Sequence, residues 1–117
     1  GAPGIVPRLA ALAPVTAIRG NVDRADWARA FPEEVTVELN GRRILMLHDR
    51  KTLLPAQLAG AQIVVSGHSH APKVETVGGL LYLNPGSAGP RRFRLPVTVA
   101  LLDLGAQEHA ARIVKIA

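Results

Sequence analysis

The chain contains no cysteine and very few aromatics, with one Trp, one Tyr and two Phe among 117 residues. The first absence excludes disulfides, thiolate metal sites and cysteine nucleophiles. Any metal bound here must be held by His, Asp, Glu or Asn. The second leaves Val, Leu, Ile and Ala to build the core. Long apolar runs are missing too, so no segment reaches the ~20 residues that a membrane-spanning helix requires. The opening Gly1-Ala2-Pro3-Gly4 has neither the charged nor the apolar region of a secretory signal. These absences fit a cytoplasmic protein with no membrane partner.

Hydrophobic residues make up 48% of the chain and charged residues 20%, the balance of a globular fold. Its length suits a single domain spanning residues 1–117. The net charge of +5 favours anionic partners: phosphate esters, nucleic acid or acidic lipid. One basic patch is dense, at Arg91, Arg92 and Arg94, and a solvated face is an equally good reading of it. No aromatic RNA-binding motif and no helix-turn-helix pattern accompanies the charge. Nucleic-acid binding therefore rests on charge alone.

Periodicity divides the chain into short elements. Ile5, Leu9 and Leu12 share a helical face, with Pro7 in the first turn, and Pro14 ends that helix. Val15 to Ile18 reads as a buried strand running into Gly20-Asn21. A loop or short helix covers Arg24 to Ala30. Val35 to Leu39 alternates, Asn40-Gly41 is a type I′ hairpin signal, and Arg43 to Leu47 returns to deliver His48. Lys51 to Ala59 has helical spacing, and the β-branched run Ile63-Val64-Val65 is a strand buried on both faces. Two hairpins close the chain, Val74 to Leu83 around Gly78-Gly79 and Val97 to Ile116 around Gly105, with His109 in the surface turn of the second. The tally of about eight strands and two or three helices predicts a mixed α/β sandwich rather than a doubly wound parallel sheet.

Asn21, His48 and His68 each fall just past the end of a predicted strand. Ligands of α/β folds gather at such ends, so three metal-capable side chains there suggest one site. A lone His beside a strand is more often structural, and two His at i, i+2 also arise by chance. The combination is what carries weight. In Gly67-His68-Ser69-His70, a tight loop would let the two rings diverge toward two ions, with Gly67 permitting an unusual entry and Pro72 stiffening the exit. Imidazole suits Zn, Mn, Fe or Ni, and Asn21 adds a hard carbonyl oxygen. A two-metal cluster also needs a bridging carboxylate, and neither Asp23 nor Asp49 is obviously placed to supply it.

The order Gly20-Asn21-Val22-Asp23, His48, Gly67-His68-Ser69-His70, then Asn84-Pro85-Gly86-Ser87 and Pro90-Arg91 resembles the calcineurin-like metallophosphoesterases. It is most similar to their small bacterial and archaeal phosphodiesterase branch, which includes the retromer scaffold subunit. The resemblance implies a β-sandwich flanked by helices with two divalent metals at one edge. Mn would be the first choice, with Ni, Zn or Fe as alternatives. By position, Asn21, His48 and His68 would bind one metal and His70 the other, as the catalytic set. Asp23 would brace the loop presenting Asn21. Ser87 and Arg91 would lie on the substrate or loop side, with bracing the better reading for Arg91. The implied reaction is in-line attack of metal-activated water on a phosphodiester or phosphomonoester of small size.

Two departures qualify the resemblance. Val22 stands where larger members carry a His after the Asn, which fits the small branch. The family's opening Asp-x-His and Gly-Asp-x-x-Asp motifs are absent from this sequence, so the expectation is an incomplete domain without its first strand-helix-strand segment. Alone, such a chain would show little catalysis and would associate as a homo-oligomer through the edge around Val15 to Ile18. The alternative function is a metal-poor protein-interaction scaffold of the same fold.

Overall fold

The computed structural model describes residues 3–19, 26–58, 60–89 and 94–117. Among the described residues seven strands carry the fold: β1 (Glu34–Leu39), β2 (Arg42–Leu47), β3 (Ile63–Val65), β4 (Lys73–Val77), β5 (Leu80–Asn84), β6 (Thr98–Leu104) and β7 (His109–Lys115). Five of them form a mixed sheet in the order β1-β2-β3-β5-β4, and β6 and β7 pair as a separate antiparallel ribbon. β2, β3 and β5 run parallel, while β1 and β4 are antiparallel edges added by hairpins. Among the described residues an α-helix, α1 (Ile5–Ala10), and a 3-10 turn at Asp26–Ala30 precede the sheet. The expected mixed α/β sandwich is therefore what forms.

The core follows from strand alternation. Ile44, Ile63 and Leu81 point to one face, where Leu102, Leu104 and Ala111 of the β6–β7 ribbon cover them. Leu45, Leu47 and Val64 point to the other, under Leu53, Leu58 and Ala61. Ile63 and Val64 are both fully buried, so β3 is enclosed on both faces as its β-branched composition predicts. The hairpin at Asn40-Gly41 is confirmed by positive φ at both residues, +47° and +77°.

Three expectations are corrected. Lys51 to Ala59 is not one helix but two 3-10 turns, Arg50–Thr52 and Pro55–Leu58. The first turn ends at Leu53, which is extended at φ −71°, ψ 127°, and Pro55 disfavours helical backbone at Leu54, so the two turns do not join. Val15 to Ile18 has no strand structure, because a strand exists through its ladder and no described residue pairs with it. Val15 is 39% exposed as a result. His109 is not a turn residue but opens β7 opposite Leu104. Among the described residues no helix is long and apolar enough to cross a membrane.

Candidate functional site

The parallel strands β2, β3 and β5 end on the same side of the sheet, and the chain leaves each of them into a site loop. β2 delivers His48 and β3 delivers Ser66-Gly67-His68, while β5 runs into Asn84-Pro85-Gly86-Ser87. Gly67 N–H donates to the His48 carbonyl over 2.8 Å, which ties the first two loops together. The consequence is direct: His48 Nε2 and His68 Nδ1 stand 3.2 Å apart, with the rings edge-on at 85°.

Two nitrogen ligands each about 2.1 Å from one ion, at angles between octahedral and tetrahedral, lie roughly 3.0–3.4 Å from each other. The His48–His68 spacing fits that requirement. Asp49 Oδ2 lies 3.8 Å from His68 Nε2, the nitrogen turned away from His48. A carboxylate on that side favours the tautomer whose Nδ1 lone pair points toward His48. Asp49 Oδ1 meanwhile accepts the Lys51 N–H and starts the 3-10 turn at Arg50.

The histidine loop holds its shape at a backbone cost. His68 and His70 both have positive φ, +71° and +61°. Such conformations cost non-glycine residues about 1–2 kcal/mol each. The expected special conformation at Gly67 thus falls on the histidines instead. Asn84 compensates, since its Nδ2 donates to the Gly67 carbonyl at 3.1 Å and to Ser69 Oγ at 3.0 Å. Ser69 Oγ in turn accepts the Ala71 N–H, and Asn84 Oδ1 accepts the Gly86 N–H. Gly86 is obligatory: its φ is +79°, and a Cβ there would lie 2.0 Å from Thr98 Oγ1. That buried hydroxyl donates to the Pro85 carbonyl, so β6 clamps the loop beneath the site. Ser87 serves the same loop, its hydroxyl accepting the Gly89 N–H and its carbonyl the Thr98 N–H.

His70 lies at the far end of the histidine loop, half-buried. Asn21, Asp23 and Arg91 lie outside the described residues. Among the described residues no three His, Asp or Glu side chains converge closely enough to hold an ion by themselves. His48 and His68 are the pair the fold does bring together.

Sequence reading missed the neighbourhood beside that pair. A recess of about 310 Å³ is lined by His68, Asp49, Arg50, Lys73, Tyr82 and Asn84, among others. The Arg50 guanidinium lies 3.8 Å over the Tyr82 ring and donates to Glu75 Oε1 at 3.2 Å. Lys73 Nζ reaches Glu75 Oε2 at 2.7 Å. The Lys73 hydrogen bond, and then that of Arg50, holds the Glu75 carboxyl below its ordinary value of 4.5. The signal that could have found this cluster is strand alternation, which places Lys73 and Glu75 on one face of β4.

The calcineurin-like phosphoesterase superfamily domain matches residues 1–107. A probable metallophosphoesterase of Bacillus subtilis (strain 168) is 34% identical over 103 residues, 80% of this chain and 59% of the relative. The chain thus spans less than two thirds of that relative's length. A probable metallophosphoesterase of Methanothermobacter thermautotrophicus is 30% identical over 121 residues, 97% of this chain and 69% of the relative. The crystal structure of Vps29 complexed with Zn²⁺ from Entamoeba histolytica shares the fold at a TM-score of 0.72 and 22% identity, covering 95% of this chain and 73% of that one. A family match that runs through every strand end bearing a site loop leaves one assignment: the chain belongs to the calcineurin-like phosphoesterase superfamily.

Proposed function

We propose that the protein is a two-metal phosphodiesterase acting on phosphate esters of small size. The observation that carries this reading is the 3.2 Å approach of His48 Nε2 and His68 Nδ1 at adjoining strand ends. Asn21, His48 and His68 would hold one divalent ion and His70 the other, with Mn²⁺ the first choice. When bound, the ions would supply Lewis acidity, lowering the pKa of water and offsetting charge on the phosphoryl oxygens. The chain's own contribution is positional. The Gly67–His48 hydrogen bond and the Asn84 bonds hold together the two loops that carry the imidazoles before substrate arrives, which lessens the reorganisation left for the reaction. Asp49 Oδ2 lies 3.8 Å from His68 Nε2, on the side of the ring away from His48. Overall, a water oxygen bonds to phosphorus, one ester P–O bond breaks, and the departing alcohol takes up a proton.

The test uses the full-length protein with Mn²⁺ and bis(4-nitrophenyl) phosphate. Hydrolysis should be measurable and should fall at least about 100-fold in His68→Ala, as expected for loss of a group that positions the metal. Wild-type rates in that variant would sink the proposal.

A further inference from the structure

The recess beside His68 gathers cations at one side of the histidine pair. Arg50, Lys51 and Lys73 line it with the Asp49 carboxylate, and Glu75 pairs with both Arg50 and Lys73. One Asp49 oxygen already accepts the Lys51 N–H and the other lies toward His68. Arg50 is held in place from two sides, by the Tyr82 ring and by Glu75. That arrangement leaves the guanidinium ordered, and Glu75 occupies just one of its N–H donors in the Arg50–Glu75 bond. Lys73 stands opposite Asn84 in the β4–β5 register, at the site end of the ladder, and shares the other Glu75 oxygen. The volume, about 310 Å³, matches the small end of ligand pockets and admits a group the size of a sugar phosphate.

We propose that this recess binds a second phosphate carried on the alcohol portion of the substrate, with Arg50 and Lys73 as the residues that select it. The natural substrates are then phosphodiesters that bear a further phosphate, rather than diesters of uncharged alcohols. This rests on the phosphodiesterase reading for its chemistry but not for its binding. An ordered guanidinium fork suits phosphate oxygens, and Arg50, Lys51 and Lys73 outnumber the two carboxylates, Asp49 and Glu75, beside them.

The experiment compares two chromogenic diesters on the full-length protein with Mn²⁺: thymidine 5′-(4-nitrophenyl phosphate) with and without a 3′-phosphate. The wild type should prefer the 3′-phosphate compound by about tenfold or more in kcat/KM, the effect of one charge-assisted hydrogen bond. Arg50→Gln and Lys73→Gln should each erase most of that preference. In parallel, thymidine 3′,5′-bisphosphate is titrated calorimetrically into metal-free protein, where both variants should bind it about tenfold more weakly. Lys73 lies on an exposed edge, so its variant keeps the test informative if Arg50→Gln fails to fold. Equal kcat/KM for the two diesters in active wild type would overturn the subsite and leave the phosphodiesterase reading standing. Hydrolysis of neither diester would count against the phosphodiesterase, and the calorimetry then decides the subsite: equal affinity in wild type and both variants overturns it.

Discussion

Two loops of this molecule turn the backbone left-handed, and they do so for opposite reasons. At Asn40-Gly41 the residue types are those the conformation favours, φ +47° and +77°, and the result is a tight hairpin. At His68 and His70 the conformation is similar, φ +71° and +61°, on residues that adopt it less readily than glycine. One loop is composed for its backbone. The other keeps its side chains despite its backbone, and Asn84 bonds from below hold it there. Strain of this kind, retained beside a histidine pair, points to function.

The sharpest way to break that comparison is His68→Gly. Glycine accepts the left-handed conformation, so thermal denaturation should show stability unchanged or raised by roughly 1 kcal/mol. Phosphodiesterase activity of the full-length protein should fall at least about 100-fold. A clear loss of stability would mean that the ring, rather than the backbone, sets the energetics of this loop.

Gly86→Ala probes the floor beneath the histidines. The new Cβ meets Thr98 Oγ1 and must adopt φ +79°, so a loss of about 3 kcal/mol in denaturant unfolding is expected. A loss under about 1 kcal/mol would show that β6 yields and that the clamp is soft.

Asn40→Ala should have the smallest effect. It removes a left-handed-tolerant residue and the Asn40 Nδ2 bond to the Leu104 carbonyl, costing about 1–2 kcal/mol in the same unfolding measurement. Hydrolysis should be unaffected, because the hairpin lies at the opposite end of β2 from His48. A drop in activity would mean that the two loops are coupled through that strand.

Local chemistry made much of the fold legible. The Asn-Gly turn, the β-branched run at Ile63 to Val65 and the Gly78-Gly79 hairpin each carry their own short-range signal, and each forms as read. Pairing across distance was less readable. Val15 to Ile18 has the composition of a strand, but composition cannot supply a partner ladder. Lys51 to Ala59 has helical spacing, but Pro55 divides it into two turns. His109 sits in a polar stretch that looks like a turn, and only the register with Leu104 draws it into β7.

The sequence by itself determined the family, the strand ends from which the histidines emerge, and the mixed sandwich. Each of these is carried by residue type and order along the chain. Only the tertiary structure decided that His48 and His68 meet at 3.2 Å, since that depends on β2 and β3 lying parallel and in register. It also decided that Asn84 supports the histidine loop and that Glu75 gathers Arg50 and Lys73 beside it. Apart from Lys73–Glu75, which follows strand alternation along β4, those contacts join residues 15 to 25 positions apart, and their geometry comes from packing rather than from any local pattern.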